Sequence, residues 1–268
     1  MPEGHSIHRL ARRHQKLFRG EVLHAASPQG RFADGAGLID GATLVRTDAW
    51  GKHLFHHYSG DLRLHVHLGL YGKFREGDLP APEPRGALRL VLTGDTRWLE
   101  LRGPIACEVL TPEQALQVTD QLGPDPLRPG SDPGLVLARL ARSRSAVGAL
   151  LMNQQVIAGI GNVYRAEILF RHGVSPFLPG RDLDESTWLS MWADLQVLMK
   201  AGVRSGRIIT TEVDDRERPA GRARQVDAHY VYRRTGQPCR RCGTAVSQVE
   251  MAARNLFWCS WCQPDSGA

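Results

Sequence analysis

The chain has 268 residues, 42% of them hydrophobic, and 34 Lys and Arg against 28 Asp and Glu give a formal charge of +6 and a pI near 9.3. No apolar run approaches the roughly 18–20 residues of a membrane span, no secretory signal stands near either end, and five cysteines are too few for a disulfide scaffold. A cytoplasmic protein of two domains and a small appendage is expected, and the positive excess favours a polyanionic partner without establishing one.

The chain opens "MPEGHS". Proline at position 2 is small enough for the methionine before it to be trimmed, which would leave Pro2 with a free secondary amine able to act as a nucleophile. From Ile7, the residues Ile7, Leu10, Ala11, His14, Leu17 and Phe18 fall at helical spacing, and Gly20 ends the run. Residues 21–110 read as strands and turns in "HLFHHY", "DLRLHVHLGLYG" and "ALRLVLTGDTRWLELRG". Without regular strand–helix alternation, they predict a β-sandwich or barrel. Leu62, Leu64, Val66 and Leu68 share one strand face and Arg63, His65 and His67 the other. No carboxylate or cysteine accompanies these histidines in the sequence, so a solvated polar face is expected and no metal. In "WGKHLF", Lys52 lies between a turn at Gly51 and a strand; a lone lysine there is far more often surface than catalytic.

The proline-rich stretch "LGPDPLRPGSDPG" at 122–134 predicts a hinge. Helical patterns follow in "LVLARLARS", "VGALLMNQQVIA", "NVYRAEILFRHG" and "DESTWLSMWADLQVLMKAG", and the character changes again from about residue 221. The expected organisation is therefore an N-terminal domain over 1–121, the hinge over 122–134, a helical domain over 135–220 and a last module over 221–268.

That last module holds Cys239-x2-Cys242, sixteen residues, then Cys259-x2-Cys262. Each pair lets two thiolates grip one tetrahedral ion across a tight turn, which predicts one structural zinc ion closed off from catalysis. Cys107 reads as a buried small apolar residue. Between the pairs, "MAARNLFW" places Arg254 near a hairpin tip with Phe257 and Trp258 behind it, an arrangement that suits a phosphate. Arg222, Arg224, Arg233, Arg234, Arg240 and Arg241 precede it, either as a nucleic-acid surface or as a solvated basic face. In "AGIGNVYRAEILF", Gly159 and Gly161 make a turn and Asn162 is placed to cap the next helix, a weak signal by itself for an anion site.

Taken together, Pro2-Glu3-Gly4, Gly51-Lys52, "AGIGNVYRAEIL" and "FWCSWCQ" resemble the formamidopyrimidine-DNA glycosylase and endonuclease VIII family over nearly the whole chain, in the family's order. The resemblance implies an α+β multidomain fold: an N-terminal β-sandwich with its leading helix, a helix–two-turn–helix domain and a four-cysteine zinc finger. It implies a DNA glycosylase and abasic-site lyase of base excision repair, a monomer on damaged DNA, in which Pro2 attacks the anomeric carbon to form an iminium and β,δ-elimination follows. Glu3 matches the catalytic proton shuttle, Lys52 the strand lysine that positions DNA and assists base loss, and Asn162 and Arg254 the clamp on the flanking phosphates. Pro2, Glu3, Lys52 and Arg254 are thus the implied catalytic set.

Within "HLGLYGKF", Leu70 and Tyr71 resemble the endonuclease VIII wedge that fills the gap left by an extruded base, although Gly69 replaces that branch's glutamine and leaves part of the gap to be filled otherwise. The stretch "LELRGPIACEV" lacks the phenylalanine of the purine-directed branch. Oxidised pyrimidines are therefore the expected lesions, with a formamidopyrimidine- or 8-oxoguanine-directed enzyme as the alternative and a non-catalytic zinc-finger binder of damaged DNA as a third. Ser6 stands where many members have a glutamate and Asn153 where many have an aspartate, while Asp125 keeps the hinge aspartate.

Overall fold

The computed structural model describes residues 2–219, 221 and 223–265, and the chain divides into two compact units, 1–121 and 122–268. In the first unit, helix α1 (Gly4–Phe18) buries Ile7, Ala11, His14 and Phe18 along one stripe. Gly20, at φ +85°, turns the chain out of it. There follow β1 (Val22–Ala26), a short helix α2 (Ala33–Ile39), β2 (Ala42–Trp50), β3 (His53–Tyr58), β4 (Arg63–His67), β5 (Lys73–Asp78), β6 (Leu88–Thr93), β7 (Arg97–Arg102), β8 (Ala106–Leu110) and helix α3 (Pro112–Asp120).

The strands pair antiparallel in the order β5-β7-β6-β1-β2-β3-β4-β8. At the centre of that order β1 meets β2 through only Val22↔Thr43 and Leu23↔Ala42, so the sheet folds there into two halves. Leu90, Leu92 and Leu99 from one half and Leu44, Leu54 and Leu64 from the other bury into one core, as in a β-sandwich. Each leucine so buried contributes about 1.5–3 kcal/mol. Helix α2 interrupts the region 21–110, whose pattern predicts strands and turns alone, and α3 follows directly after it. The signal for α3 was nonetheless present: Thr111-Pro-Glu-Gln is a capping box, with the Gln114 N–H donating to Thr111 Oγ1 at 3.3 Å and the Thr111 N–H to Gln114 Oε1 at 2.9 Å.

The solvated face expected on β4 is not solvated. His65 is only 3% exposed, stacked against Phe55 at 5.0 Å, and a carboxylate does accompany it: Glu108 Oε1 on β8 lies 2.8 Å from His65 Nδ1. Period-two alternation correctly separates the two faces of the strand but does not say what covers the second. His14 and His56 form another buried pair, Nδ1 to Nε2 at 2.9 Å. Burial holds both below the ordinary histidine value, His56 at about 3. Their folded values lie below their unfolded ones, so each histidine takes up a proton on unfolding once the pH drops below about 6.5. Stability is expected to be complete above that pH. It should fall by about 1.4 kcal/mol per pH unit for each such histidine as the pH drops towards the folded values. Urea unfolding between pH 7.5 and 4.5 checks this, and His14→Leu with His56→Leu should flatten the slope.

The second unit holds α4 (Pro133–Leu140), α5 (Val147–Leu150), α6 (Asn162–Arg171), α7 (Glu185–Ser205), β9 (Ser247–Met251) and β10 (Arg254–Trp258). Asp184 caps α7 by accepting from the Thr187 N–H at 2.8 Å, and Gly206, at φ +72°, ends it. The helical period of "VGALLMNQQVIA" yields only the single turn of α5. Asn153 Oδ1 accepts from the Gln155 N–H, and the Gln154 amide spans the loop, donating to the Met152 and Ile160 carbonyls and accepting from the Gly159 N–H. These side chains offer the backbone non-helical partners, a role open to asparagine and aspartate alike at 153.

Candidate functional site

Of the residues singled out by sequence, Pro2, Glu3, Lys52, Leu70 and Tyr71 belong to the first unit, and Asn162, Arg254 and the paired cysteines to the second. Met1 lies outside the described residues. Pro2 is half-buried, and Glu3 is fully buried as the N-cap residue of α1, its carbonyl accepting from the Ser6 N–H at 2.8 Å. The start of a helix is electropositive and favours a carboxylate there. His5 beside it is buried. Burial first, and neighbouring positive charge second, bring it to about 4, so it is neutral at pH 7, with Ser6 Oγ 3.1 Å from its Nε2.

Gly51 and Lys52 form the two-residue turn between β2 and β3, where Trp50 pairs with His53. Glycine at the first turn position supplies the φ of +57° that such a hairpin needs, and the strands on either side fix where half-buried Lys52 leaves the sheet. Leu70 and Tyr71 form the turn after β4 rather than a strand end, 43% and 86% exposed. Beside them stands Ile105, 71% exposed, which the sequence reading did not single out. A Cβ on Gly69, itself at φ +65°, would lie 2.2 Å from Ile105 Cδ1, so Ile105 fills the room that a side chain at 69 would take. No local signal marked it, since the contact joins two loops.

In the second unit α6 is buried on every side, so its polar side chains must find partners inside. Asn162 does not cap the helix: Gly161 is the N-cap residue, and Asn162 is the first residue inside. Its Nδ2 donates instead to the Asn255 carbonyl at 2.9 Å, and its Oδ1 accepts from Arg165 Nη2. Fully buried Arg165 also donates to the Met251 carbonyl at 3.0 Å. Asn162 and Arg165 thus hold both strands of the β9–β10 hairpin on either side of its tip, and the sequence signal for Arg165 was only its place within "GNVYRAEIL". At the tip, Ala252 and Ala253 both adopt positive φ, at +53° and +54°. This left-handed conformation costs about 1–2 kcal/mol for each non-glycine residue. Half-buried Arg254 follows directly, its Nη1 donating to the Ala253 carbonyl at 2.6 Å.

Most of the described arginines of the cluster make contacts within the chain, while Arg224, Arg233 and Arg241 stay exposed. Arg224 pairs with Glu217 and Asp227; Arg240 donates to the Val226 and His229 carbonyls; Arg241 lies 4.9 Å over the Tyr230 ring and 5.1 Å over Phe170. Arg234 donates to the Tyr230 and Pro238 carbonyls, whereas Arg233 stacks on Tyr232 at 5.5 Å. Arg222 lies outside the described residues.

The sulfurs of Cys239, Cys242, Cys259 and Cys262 all lie within 4.8 Å of one another, with Cys239 to Cys262 at 3.9 Å and Cys242 to Cys259 at 3.4 Å. Zinc–sulfur bonds of about 2.3 Å in a tetrahedron put sulfurs about 3.8 Å apart, so the four fit one zinc ion with no position left open. Cys107 stands apart, packed against the sandwich core, where burial pushes its thiol up to about 12. Cys259→Ser is expected to drop bound zinc from one equivalent to below about a tenth, because affinity in such sites is coupled to folding. Metal analysis after dialysis checks it, and unchanged zinc would overturn the four-ligand assignment.

Residues 1–104 match the formamidopyrimidine-DNA glycosylase N-terminal domain, 122–214 the formamidopyrimidine-DNA glycosylase H2TH domain, and 236–264 the zinc finger found in FPG and IleRS. The chain belongs to the formamidopyrimidine-DNA glycosylase and endonuclease VIII family. As a member of that family it is a DNA glycosylase of base excision repair. It is similar to Endonuclease 8 1 of Mycobacterium tuberculosis (strain ATCC 25618 / H37Rv), 47% identical over 98% of this chain and 100% of the relative. Endonuclease 8 of Escherichia coli (strain K12 / DH10B) is 31% identical over 98% and 100%. Formamidopyrimidine-DNA glycosylase of Moorella thermoacetica is 32% identical over 93% of each. Among solved structures, the MutM (Fpg) protein of Thermus thermophilus superposes with a TM-score of 0.80 at 28% identity, covering 98% of both chains. The Lactococcus lactis Fpg in complex with abasic-site DNA gives 0.82 at 22% identity, covering 98% of this chain and 100% of that one, a likeness of fold. Among the described residues no helix is long and apolar enough to cross a membrane.

Proposed function

We propose that this glycosylase removes oxidised pyrimidines from DNA and then cuts the strand by β,δ-elimination through an iminium on Pro2, working as a monomer in the cytoplasm. The observation that carries the reading is the pairing of half-buried Pro2 with fully buried Glu3 at the start of α1. Trimming of Met1 would give Pro2 a free secondary amine. An α-amine with a pKa of about 7.7–8.0 is roughly a quarter to two-fifths unprotonated at about pH 7.5, against about 0.1% for a lysine near 10.4. The amine attacks the anomeric carbon as the base leaves, and Glu3 hands protons to the opening sugar and the departing groups.

Lys52, on its hairpin turn, positions the DNA and assists base loss. Asn162 and Arg254 clamp the phosphates beside the lesion, which suits an enzyme that must extrude a nucleotide at an expense of a few kcal/mol. One Nδ2 hydrogen of Asn162 is given to Asn255, and the other is left for a phosphate oxygen. Leu70, Tyr71 and Ile105 supply an apolar tip for the gap that the extruded base leaves, with Ile105 serving where Gly69 lacks a side chain. The pyrimidine preference is supported by that tip and by the name Endonuclease 8 1 of a relative 47% identical along the whole chain.

Borohydride trapping on a duplex carrying 5-hydroxyuracil, with peptide mass spectrometry of the adduct, tests the reading. The expected result is a covalent adduct at Pro2. Trapping on 8-oxoguanine but not on 5-hydroxyuracil would move the substrate to purines, and no adduct on either lesion or on an abasic site would remove the iminium.

A further inference from the structure

Asn162 opens helix α6 and Arg165 follows three residues on, a spacing that sets two side chains beside each other on one helix face. The Arg165 guanidinium is fully buried and forks between three oxygens. Its Nη1 donates to the Met251 carbonyl on β9 at 3.0 Å and to the Gly148 carbonyl on α5 at 3.4 Å, while Nη2 donates to Asn162 Oδ1. The wall that carries the two carbonyls is tight: a Cβ on Gly148 would lie 2.9 Å from the Pro176 carbonyl oxygen and 3.0 Å from Met251 Sδ. Glycine lets α5 come this close to the β9–β10 hairpin, and Arg165 ties the two together.

An asparagine amide can sit in either of two senses, which exchange its oxygen acceptor for its NH2 donor. Arg165 selects one of them, because a guanidinium donates and never accepts. The Asn255 carbonyl, which accepts from Nδ2 at 2.9 Å, requires the same sense from the other side. Turned over, the amide would face its NH2 to a cation and its oxygen to a carbonyl, at a residue only 5% exposed, where polar groups must be matched inside the protein. Of the two partners Arg165 sets the preference more strongly, since its hydrogen bond carries a formal charge. With Oδ1 held on the guanidinium, both Nδ2 hydrogens are turned away from it.

We propose that Arg165 is a positioning residue for the phosphate contact: by donating to Oδ1 it fixes the sense of the Asn162 amide, so that the side chain offers DNA a hydrogen and not a lone pair. The proposal rests on the reading of Asn162 as a phosphate-clamping residue. A phosphate oxygen has lone pairs alone to give, so an amide in the other sense would repel what the fixed sense binds. The same guanidinium also supports the hairpin through the Met251 carbonyl, and the two roles are separable. Holding a carbonyl requires any donor at position 165, whereas fixing the sense of an amide requires a side chain that cannot accept.

The experiment compares Arg165→Lys and Arg165→Gln in the full zinc-loaded chain, by fluorescence anisotropy on a duplex carrying an uncleavable abasic analogue. Lysine donates and never accepts, so it keeps the sense of the amide, and affinity is expected within about threefold of the unaltered protein. Glutamine can still donate to the Met251 carbonyl, but its own oxygen accepts and leaves the amide free to turn. Its affinity is expected to fall about tenfold, the lower end of what a hydrogen bond to a charged group contributes. In an Asn162→Ala background the step from Arg165 to glutamine should shrink to within about twofold. Equal losses in the two variants would overturn the proposal, and so would a tenfold step that persists in Asn162→Ala, since Arg165 would then act on the hairpin alone. NMR of the unaltered protein, which needs no variant to fold, is expected to show scalar coupling across the hydrogen bond from Asn162 Nδ2 to the Asn255 carbonyl carbon. Its absence would also overturn the proposal. Unchanged affinity in Asn162→Ala would instead remove the reading of Asn162 as a phosphate residue, and the coupling would still be as found.

Discussion

Glu3→Gln is expected to slow base excision by about a thousandfold while leaving affinity for lesion-bearing duplex within about twofold, in line with the 10²–10⁴-fold that a positioned acid–base group contributes. The side chain is fully buried at the N-cap of α1, so its geometry is imposed by the helix start and not by solvent. Glutamine has the same shape and the same carbonyl acceptor but cannot take up and return a proton. Binding measured by fluorescence anisotropy on an uncleavable abasic analogue separates affinity from chemistry, and single-turnover excision of 5-hydroxyuracil reads the rate. A fully active variant would take Glu3 out of the mechanism. A variant that loses binding and rate in equal measure would make it a structural residue of the helix start.

How much of this was legible in the sequence depends on how far apart the partners lie. The four cysteines were readable because each pair closes a turn by itself, and the hairpin between them follows from their separation. Helix α1 was readable through the spacing of Ile7, Ala11, His14 and Phe18, including a histidine on the buried side. The turn that carries Lys52 was readable from Gly51, while the lysine itself was marked only by the family resemblance. What escaped was set by contacts across long stretches of chain. Asn162 looked like a cap because local chemistry favours asparagine there, whereas its partner is the Asn255 carbonyl, 93 residues on. Composition showed the arginines before Arg254 as a basic stretch but not their partners, Asp227, Glu217 and the Tyr230 ring. The exposed neighbour of the Leu70–Tyr71 turn, Ile105, also comes from a separate loop, and only the missing side chain at Gly69 hinted that something else occupied that space.

Glu167→Ala is expected to destabilise the second unit by about 3–5 kcal/mol, a large part of the 5–15 kcal/mol that holds a typical domain together. Glu167 is fully buried in the middle of α6. Its Oε2 accepts from the Tyr230 N–H at 2.7 Å and from the Thr210 hydroxyl, while Oε1 accepts from the Val231 and Tyr232 N–H groups at 2.9 and 2.8 Å. Three consecutive backbone donors on the approach to Cys239 thus converge on one carboxylate. Alanine would leave all three without an acceptor, at about 1–3 kcal/mol each before water re-enters. Asn162 and Arg165, earlier on the same helix, hold the hairpin that carries Arg254, so α6 grips the zinc module at both of its ends. Urea unfolding followed by tryptophan fluorescence, with Trp188 and Trp192 buried in this unit, measures the loss. Zinc should remain at one equivalent in the folded variant, since no sulfur is touched. A loss under about 1 kcal/mol would mean that the metal alone holds residues 228–232 in place. A loss as large as expected, with weaker binding to every duplex alike, would place the carboxylate beneath the phosphate-clamping hairpin as its support.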